Sequence, residues 1–377
     1  MKPKIRFKGF EGEWKTSTIG EIAPLQRGYD LPTNNVISGT IPVVYSNGIL
    51  RFHNEGKCQA PAIITGRSGT IGKFTYIDHG EYWPHNTSLW VTTFHKNYPR
   101  FVYYFFQNVG FEKYATGSGV PTLNRNDIHK HIESIPSNKE EQQAIASYFT
   151  TLDSQISAST SRLASLKQMK AASLQAMFPQ EGETVPKIRF KGFEGEWKKV
   201  KADSIFKTFN EKNRPDLPVL SATQDRGMVT RESIGYNIFH DTSNEATYKH
   251  ILPGQFVIHL RSFQGGFAHS EIEGIASPAY TIIDFKNKDL YHDYYWRYVF
   301  MSKEFIKRLE LITYGIRDGR SISYDEFKEM SFLVPSKEEQ IKIASYLKNL
   351  DRQISLQSQR LEKLKQIKSA CLDKMFV

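Results

Sequence analysis

A long amphipathic segment occurs twice in this chain, at residues 135–178 and again at residues 334–376. In both copies the apolar residues are separated alternately by three and four positions. This period of about 3.5 is typical of a helix that packs along a narrow seam against another helix. A helix of about 37 residues rises about 1.5 Å per residue and is roughly 55 Å long, which exceeds the core of one small domain.

We expect the two copies to form long helices, the first over residues 140–177, that pack on each other as an antiparallel coiled coil. Each copy opens with Pro-Ser and then glutamates, which favour a helix N-terminus. Ser159 and Gln357 occupy the same seam position, where a polar residue can fix the register. The alternative is an ordinary amphipathic helix in each of two domains. The other seam residues are Ile145, Phe149, Leu152, Ile156, Leu163 and Leu166, then Ile343, Leu347, Leu350, Ile354, Leu361 and Leu364.

A second repeat precedes each variable region, because PKIRFKGFEGEW occurs identically at residues 3–14 and 186–197. The chain is therefore two copies of one plan. We predict an α+β fold with an internal pseudo-two-fold repeat, in which two domains of mostly antiparallel sheet plus helices are joined by the long helices. The predicted divisions are 1–134 (leader and first domain), 135–178 (central helix), 179–333 (linker, repeated leader and second domain) and 334–377 (C-terminal helix).

The composition limits the class of protein. A chain of 377 residues has room for two or three domains, and no apolar run is long enough to span a bilayer. The basic N-terminus lacks the apolar stretch of a secretory signal, and the two cysteines, Cys58 and Cys371, lie in unlike contexts. This fits a reducing, cytoplasmic setting and excludes a zinc site built from cysteine pairs. The net charge of +10 favours a polyanionic partner, although there is no basic tail.

The two variable regions, residues 15–134 and 198–333, share little sequence but repeat the same order of elements. β-Branched and aromatic runs bounded by turn-forming residues predict short strands, and an aromatic segment then predicts a helix packed on the sheet. Each region closes with a glycine-rich loop and a strand that leads into the long helix. The predicted strands are 41–45, 62–65, 73–77, 88–93, 219–222, 255–260 and 279–285, and the predicted helices are 100–110 and 293–307.

An arginine occurs with glycines in the loop at residues 66–72, Gly-Arg-Ser-Gly-Thr-Ile-Gly, and again at residues 261–266. Such loops allow close approach to a DNA groove, where arginine reaches a guanine or a phosphate. A tight hairpin or a solvated loop is the ordinary alternative, and no P-loop ending follows. Adding similar polar loops, the candidate DNA-binding residues are Arg67, Ser68, Thr70, Lys73, His85, Asn86, Thr87, Ser118, Asn124, Arg125, Gln224, Asp225, Arg226, Arg261, Ser262, Gln264, Arg317 and Arg320.

Catalytic signatures are missing from the sequence. There is no Asn-Pro-Pro-aromatic motif and no glycine-rich cofactor loop of the kind an adenine methyltransferase needs, and no His or Glu cluster has metal-ligand spacing. We therefore expect no catalytic residue, no metal site and no cofactor in this chain. This pattern favours a binding subunit over an enzyme.

The two divergent domains, the repeated helices, the Gly-Phe-Glu-Gly-Glu-Trp leader and the Pro-Ser-x-Glu-Glu-Gln opening of each helix resemble the specificity (S) subunit of a type I restriction–modification system. The resemblance covers nearly the whole chain. The loop at residues 66–72 and the stretches at 123–127 and 220–227 are similar to parts of that family's target recognition domains.

The resemblance implies a non-catalytic subunit whose two target recognition domains each read one half of a bipartite, asymmetric site in double-stranded DNA. It implies that the paired helices set the gap between the half-sites and dock two modification (M) subunits. Those subunits would carry S-adenosylmethionine and methylate adenine. Restriction (R) subunits, which use ATP and Mg, would join through M to cleave unmodified DNA. No membrane partner is expected.

The residues alone leave other functions open. One is a specificity module of another restriction–methylation system, with a differently assembled methylase. Another, from a different class, is a coiled-coil scaffold with two protein-binding heads. Salt separates the scaffold from a DNA reader, because DNA affinity falls steeply with salt through counterion release. A self-sufficient nuclease or methylase is disfavoured by the missing motifs.

Overall fold

The structure is a computed structural model that describes residues 2–117, 119–223, 226–234, 242–259, 266–312 and 322–377. The chain divides into two compact units. The first comprises Met1–Ser161 and Gln359–Val377, and the second comprises Arg162–Ser358. Each unit therefore contains one variable region together with a part of each long helix.

In both variable regions the short strands mostly come first, and helices and a last strand follow them. The strands are β1 (Lys15–Thr18), β2 (Leu25–Arg27), β3 (Ile41–Tyr45), β4 (Gly48–His53), β5 (Cys58–Gln59), β6 (Ala62–Gly66), β7 (Phe74–Ile77), β8 (Glu81–Pro84), β9 (Ser88–Val91), β10 (Ile132–Ile135), β11 (Lys198–Lys201), β12 (Phe206–Phe209), β13 (Leu220–Thr223), β14 (Gly227–Thr230), β15 (Lys249–Ile251), β16 (Phe256–Ile258), β17 (Phe267–His269), β18 (Gly274–Ala276), β19 (Thr281–Phe285) and β20 (Ser331–Val334). The α-helices are α1 (Ile19–Ile22), α2 (Pro99–Val109), α3 (Arg125–His129), α4 (Lys139–Ala176), α5 (Ala202–Ile205), α6 (Asp293–Met301), α7 (Lys303–Ile312), α8 (Tyr324–Glu329) and α9 (Lys337–Met375).

The main sheet of each unit has four strands in the same order. The first is β2-β9-β6-β7 and the second is β12-β19-β16-β17, and all neighbouring strands in them are antiparallel. The first unit adds the sheet β4-β3-β8-β5, in which β3 and β8 pair in parallel. The predicted α+β class with mostly antiparallel sheet is confirmed, and the two variable regions share a core topology despite their unlike sequences.

The N-terminal half of α4 packs on the C-terminal half of α9 in the first unit. Asp153 forms an ion pair with Lys368 at 2.7 Å, and the Tyr148 hydroxyl lies 3.4 Å from the Cys371 sulfur. From the Tyr148 contact to the Asp153 contact, the residue number rises in α4 (148 to 153) while it falls in α9 (371 to 368). The two helices therefore run antiparallel. Phe376 at the end of the chain stacks on Phe149 in the same core.

The second unit repeats this pairing with the helices exchanged. Asp351 of α9 pairs with Lys170 of α4 at 2.5 Å, and the Tyr346 hydroxyl lies 3.3 Å from the Ser173 hydroxyl. These four residues lie at the places of those that meet in the first unit, at an offset of 198 residues. The predicted antiparallel pairing of the two long helices and the internal pseudo-two-fold repeat are confirmed.

A tyrosine docks each domain helix on its long helix. The hydroxyl of Tyr104 in α2 donates to Asp153 at 2.9 Å, and that of Tyr298 in α6 donates to Asp351 at 2.8 Å. Both rings are buried. The long helices are thus part of the core of each unit, where they bury Ile145, Phe149 and Leu152 in the first and Ile343, Leu347 and Leu350 in the second.

A buried ion pair links each leader to the start of a long helix. Arg6 donates to both carboxylate oxygens of Glu141, at 2.7 and 2.8 Å, and Arg189 makes the same two contacts with Glu339. The two glutamate side chains are 2% and 1% exposed, so each buried charge depends on its arginine. In the first unit the Trp14 indole N–H also donates to Glu141, at 3.2 Å. The repeated leader and the repeated start of the long helix therefore contact each other in both units.

The glutamine that follows each of these glutamates holds the start of the domain helix. Gln142 accepts a hydrogen bond from the Tyr98 N–H at 2.7 Å, and Gln340 accepts one from the His292 N–H at 3.0 Å. Tyr98 and His292 are the N-cap residues of α2 and α6. The Glu-Glu-Gln opening of the long helix thus fixes both the leader and the domain.

One predicted helix, residues 293–307, is wrong in its extent. The structure ends α6 at Met301 and starts α7 at Lys303, because Ser302 has extended backbone angles (φ −69°, ψ 145°). The Ser302 hydroxyl donates to the Val299 carbonyl and accepts from the Phe305 N–H, so it ends one helix and caps the next. The other predicted helix, residues 100–110, corresponds to α2.

Candidate functional site

The loop between β6 and β7 is tied to two other loops in the first unit. The Arg67 N–H donates to the Thr87 carbonyl at 2.8 Å, and the Arg67 carbonyl accepts from the Leu123 N–H at 2.8 Å. The Gly69 N–H donates to the Pro121 carbonyl at 2.9 Å. These backbone hydrogen bonds make residues 67–69 neighbours of Thr87 and of residues 121–123.

The glycines of this loop are explained by its backbone. A Cβ on Gly66 would lie 1.7 Å from the Thr70 carbonyl oxygen, and Gly69 has a φ of +85° that favours glycine. The loop joins two antiparallel strands and is followed by β7, not by a helix. It is therefore a hairpin loop and not a nucleotide-binding loop, in agreement with the sequence.

His85, Asn86 and Thr87 form a polar turn beside Arg67. The His85 Nδ1 lies 3.0 Å from the Thr87 hydroxyl, and the ring packs 4.2 Å from the Tyr45 ring. Burial lowers the pKa of His85, which favours a neutral imidazole. The Asn86 amide donates to a carboxylate oxygen of Asp30, which fixes the orientation of that amide.

Arg67 of the β6–β7 loop, residues 122–125 and the end of β2 line a cleft of about 690 Å³ in the first unit. Three arginines contribute to its wall, and the guanidinium of Arg67 donates to the Asn86 carbonyl at 3.3 Å. The Asn124 side chain accepts from the Asn126 N–H at 3.0 Å and so caps α3. The cleft is lined by Gln26, Arg27, Gly28, Tyr29, Asp30, Arg67, Leu89, Thr122, Leu123, Asn124 and Arg125.

Only Arg67, Asn124 and Arg125 of these lining residues were sequence candidates, so that Arg27, Tyr29 and Asp30 were missed. They come from the end of β2, about 40 residues before Arg67 in the chain. The sequence signal for this approach is Gly28. In the structure, a Cβ at this position would lie 2.2 Å from the His85 carbonyl oxygen. A glycine between an arginine and an aromatic residue after a strand marks such a close approach.

Other candidates of the first region lie elsewhere on the same loops. The Lys73 ammonium donates to the Asn47 carbonyl at 2.6 Å, and Thr70 is exposed at the tip of the hairpin. Neither of them lines the cleft. Ser68 forms a bridge to Thr122 at the edge of the loop.

In the second unit the structure describes Arg226 among the candidates. Its N–H donates to the Thr223 hydroxyl at 3.2 Å, and its side chain is exposed at the turn between β13 and β14. Residues 261–266 come after β16 in the sequence, and β16 occupies the same place in its sheet as β6 does in the first unit. Outside the described residues lie Ser118, Gln224, Asp225, Arg261, Ser262, Gln264, Arg317 and Arg320.

The described residues contain neither a metal-binding cluster nor a membrane-spanning helix. No group of three or more His, Cys, Asp or Glu side chains in that part of the chain is arranged to hold a metal ion. Within the same residues, no helix combines the length and the apolar character needed to cross a bilayer. The arrangement that remains is a polar, arginine-rich cleft on a β scaffold.

Comparison with known proteins identifies the family. The family described as Type I restriction modification DNA specificity domain matches residues 11–168 and 194–366. The fold is similar to that of the S subunit of a type I restriction–modification system from M. genitalium, with a TM-score of 0.69 and 15% identity over 100% of this chain and 99% of that chain. A chain from a structure on complex assembly and conformational transition of the type I R-M system has a TM-score of 0.51 and 15% identity, covering 97% and 98%.

No curated protein gives a match to this chain. The family match nevertheless occurs twice, once in each copy of the repeat, and the two matched segments together include most of the chain. The resemblance drawn from the leader and helix motifs is confirmed. The chain belongs to the family of type I restriction–modification DNA specificity domains.

Proposed function

We propose that this chain reads a bipartite, asymmetric site in double-stranded DNA, one half-site with each domain. The observation that carries the proposal is the arginine-lined cleft of the first unit, to which the β6–β7 loop, the start of α3 and the end of β2 each contribute an arginine. A cleft with Arg27, Arg67 and Arg125 on its wall attracts phosphates and presents donors that match the major-groove edge of guanine.

The other polar groups of the cleft suit base edges. Asn124 carries a carboxamide, which can pair with adenine, and Asp30 carries a carboxylate, which can accept from a cytosine amino group. Asp30 is repelled by phosphates, so its place among arginines favours contact with bases over contact with the backbone alone. The proposed contacts of the first half-site come from Arg27, Asp30, Arg67, Asn86, Asn124 and Arg125.

The asymmetry of the site follows from the repeat. The leader, the main sheet order and the long helix are duplicated, whereas the loops at residues 66–72 and 261–266 differ in sequence. Two readers with the same frame and different loops recognise different half-sites. The second half-site is assigned to Arg226 and to the candidates at 224–225, 261–264 and 317–320.

The partners follow from the family and from the duplicated frame. We propose that the paired long helices dock two M subunits, one on each copy of the frame, and that R subunits join through M. S-adenosylmethionine would then be bound by M, and ATP and Mg by R. The chain itself would act without catalysis, in the cytoplasm. The similarity in fold to a chain from a structure on type I R-M complex assembly supports this assignment of partners.

Salt dependence tests the proposal. The chain, assembled with its M subunits, is titrated with a duplex that contains the motif which the complex methylates, and with a scrambled duplex, between 50 and 200 mM salt. We expect affinity for both duplexes to fall steeply with salt, and the motif to bind about 10³-fold or more tightly than the scramble. Weak, salt-insensitive binding to both would instead favour a protein-binding scaffold.

A further inference from the structure

A second polar groove, of about 760 Å³, lies in the second unit between the domain and α9. Its floor is formed by α6, which carries Tyr294, Arg297 and Tyr298. Residues 345, 348, 349, 352 and 355 of α9 follow one helix face and form one wall. Arg226, Glu271 and Asp351 also line the groove.

The two carboxylates of the groove are already neutralised. Glu271 accepts from Arg297 at 2.6 Å. Asp351 is paired with Lys170 at 2.5 Å and also accepts from Tyr298. The acidic groups therefore do not offset the remaining cations of the groove.

Three further cations line the groove. Among the described residues, Arg226, Lys348 and Arg352 have no carboxylate partner within ion-pair distance. The Lys348 ammonium is held 3.6 Å from the centre of the Tyr294 ring. Arg352 is one helical turn further along α9, about 6 Å away along the helix axis. The groove thus presents a row of positive charge.

The corresponding face of the first unit lacks this row. Thr150 and Ser154 of α4 stand at the places of Lys348 and Arg352, at the offset of 198 residues. Both units nevertheless keep the ion pair and the tyrosine contact of Asp153 or Asp351. The packing of the domain on the long helix therefore does not require the two cations of α9, so they are available for another purpose.

We propose that this groove binds the phosphate backbone of DNA beside the half-site read by the second domain. This rests on the proposed function. Arg226 directly follows the candidate base-contacting residues 224–225, so the groove begins where recognition is expected and continues along α9. A row of cations on a helix matches the repeated charge of a duplex, which carries one phosphate per about 1.7 Å of its axis.

The test compares K348Q/R352Q with the wild-type chain, each assembled with its M subunits. Glutamine has nearly the helix propensity of lysine and arginine, so we expect the exposed helix face to fold unchanged. The slope of log affinity against log salt should fall in magnitude by about 1.8, because each phosphate contact contributes about 0.9. Motif and scrambled duplexes should lose affinity to a similar degree.

Two further variants serve as controls. K207Q/K286Q removes the same charge at exposed positions outside the groove and should leave the slope unchanged. S355K adds a cation to the groove wall and should raise the slope by about 0.9, a gain that misfolding does not produce.

The outcomes separate the two proposals. If the wild-type complex binds the motif but K348Q/R352Q and S355K both keep its slope, the groove proposal is overturned and the proposed function stands. If the wild-type complex shows no preference for the motif, the proposed function itself fails. If K348Q/R352Q loses its M subunits while its own DNA slope is unchanged, the groove binds an acidic protein surface, and the phosphate assignment is wrong.

Discussion

Arg67 is held by its backbone on both sides, and its side chain reaches the Asn86 carbonyl at 3.3 Å. The backbone of Arg67 is thus fixed, and its guanidinium lies on the wall of the first cleft. A side chain fixed in this way loses little conformational entropy when it binds. The residue is therefore a strong candidate for direct recognition.

We predict that Arg67→Ala relaxes the first half-site at one position and costs about 1–3 kcal/mol of binding free energy on the motif. Arg67→Lys keeps the charge but not the bidentate fork, so it should show most of the same loss. Binding to duplexes altered singly across both half-sites measures this. An equal loss on every sequence, rescued by Lys, would assign Arg67 to a phosphate instead.

His129 is a candidate for pH sensitivity next to the same cleft. Its Nε2 accepts from the Leu25 N–H at 2.8 Å, which requires an unprotonated nitrogen. Burial, and then the charge of Arg125, lower the pKa of His129 below its usual value of about 6.5. The folded state therefore binds a proton less readily than the unfolded state, and the stability from neutral His129 is present above about pH 6.5 and lost as the pH falls below it.

We predict that the melting temperature of the wild type decreases between pH 7.5 and 5, and that His129→Gln weakens this decrease. The glutamine carbonyl can still accept from the Leu25 N–H but does not titrate. Calorimetry of both proteins across this range gives the difference. Parallel curves for the two proteins would show that His129 does not contribute.

At the level of single residues, three of the candidates drawn from the loop sequences line the first cleft, and their contact with DNA stays a prediction. Arg67, Asn124 and Arg125 were found because arginine, asparagine and glycine cluster along the chain. Arg27 and Asp30 were missed because they reach the cleft through the pairing of β2 with β9. Pairing between distant segments leaves only a weak local pattern, here the glycine at position 28.

At the level of elements, a buried ion pair joins each leader to the start of a long helix. Removing Arg6 or Arg189 would leave a nearly fully buried carboxylate without its partner. An uncompensated buried charge is costly, whereas replacing both partners often is not. The leader is thus expected to stabilise the fold and not to recognise DNA.

We predict that Arg6→Ala lowers the free energy of unfolding by about 3–5 kcal/mol, and that adding Glu141→Gln restores part of it. Glutamine keeps an acceptor for the Trp14 indole. Arg189→Ala with Glu339→Gln provides the matched pair in the second unit. Urea unfolding followed by tryptophan fluorescence measures all four, and losses below 1 kcal/mol would contradict the structural role.

Elements with a strong local pattern were predicted well. The first long helix runs from Lys139 to Ala176, against the predicted 140–177, because its seam period and start signals are local. The break at Ser302 was missed because it depends on one hydroxyl that bonds on both sides of the residue. The sequence around it keeps the composition of a continuous helix.

The whole molecule repeats one unit, in which a variable domain packs on parts of both long helices. The contacts of Asp153 with Lys368 and of Asp351 with Lys170 are the same contact made twice. The duplication in the sequence predicted this pairing, since both copies keep the same seam period. The assignment of half-sites to loops could not be derived in the same way, because the loops are where the two copies differ.

We predict that adding one helical turn to residues 157–167 of α4, with a matching turn in residues 354–364 of α9, lengthens the preferred gap between half-sites. Four residues add about 6 Å of helix, equivalent to about two base pairs at 3.4 Å each. Methylation of a library with varied gaps measures the shift. Four residues inserted at 180–184, in the linker, should leave the gap unchanged, and an unshifted optimum in the helix variant would count against a ruler.

The decisive measurement is long-read methylation mapping of a host that expresses this chain with its M subunit, beside a host that expresses M alone. Two unlike readers on one frame predict a new asymmetric motif, with two half-sites separated by a fixed gap, modified only when both proteins are present. Unchanged methylation in a host where the assembled complex is shown to be present would contradict a role in directing modification and would favour a protein scaffold.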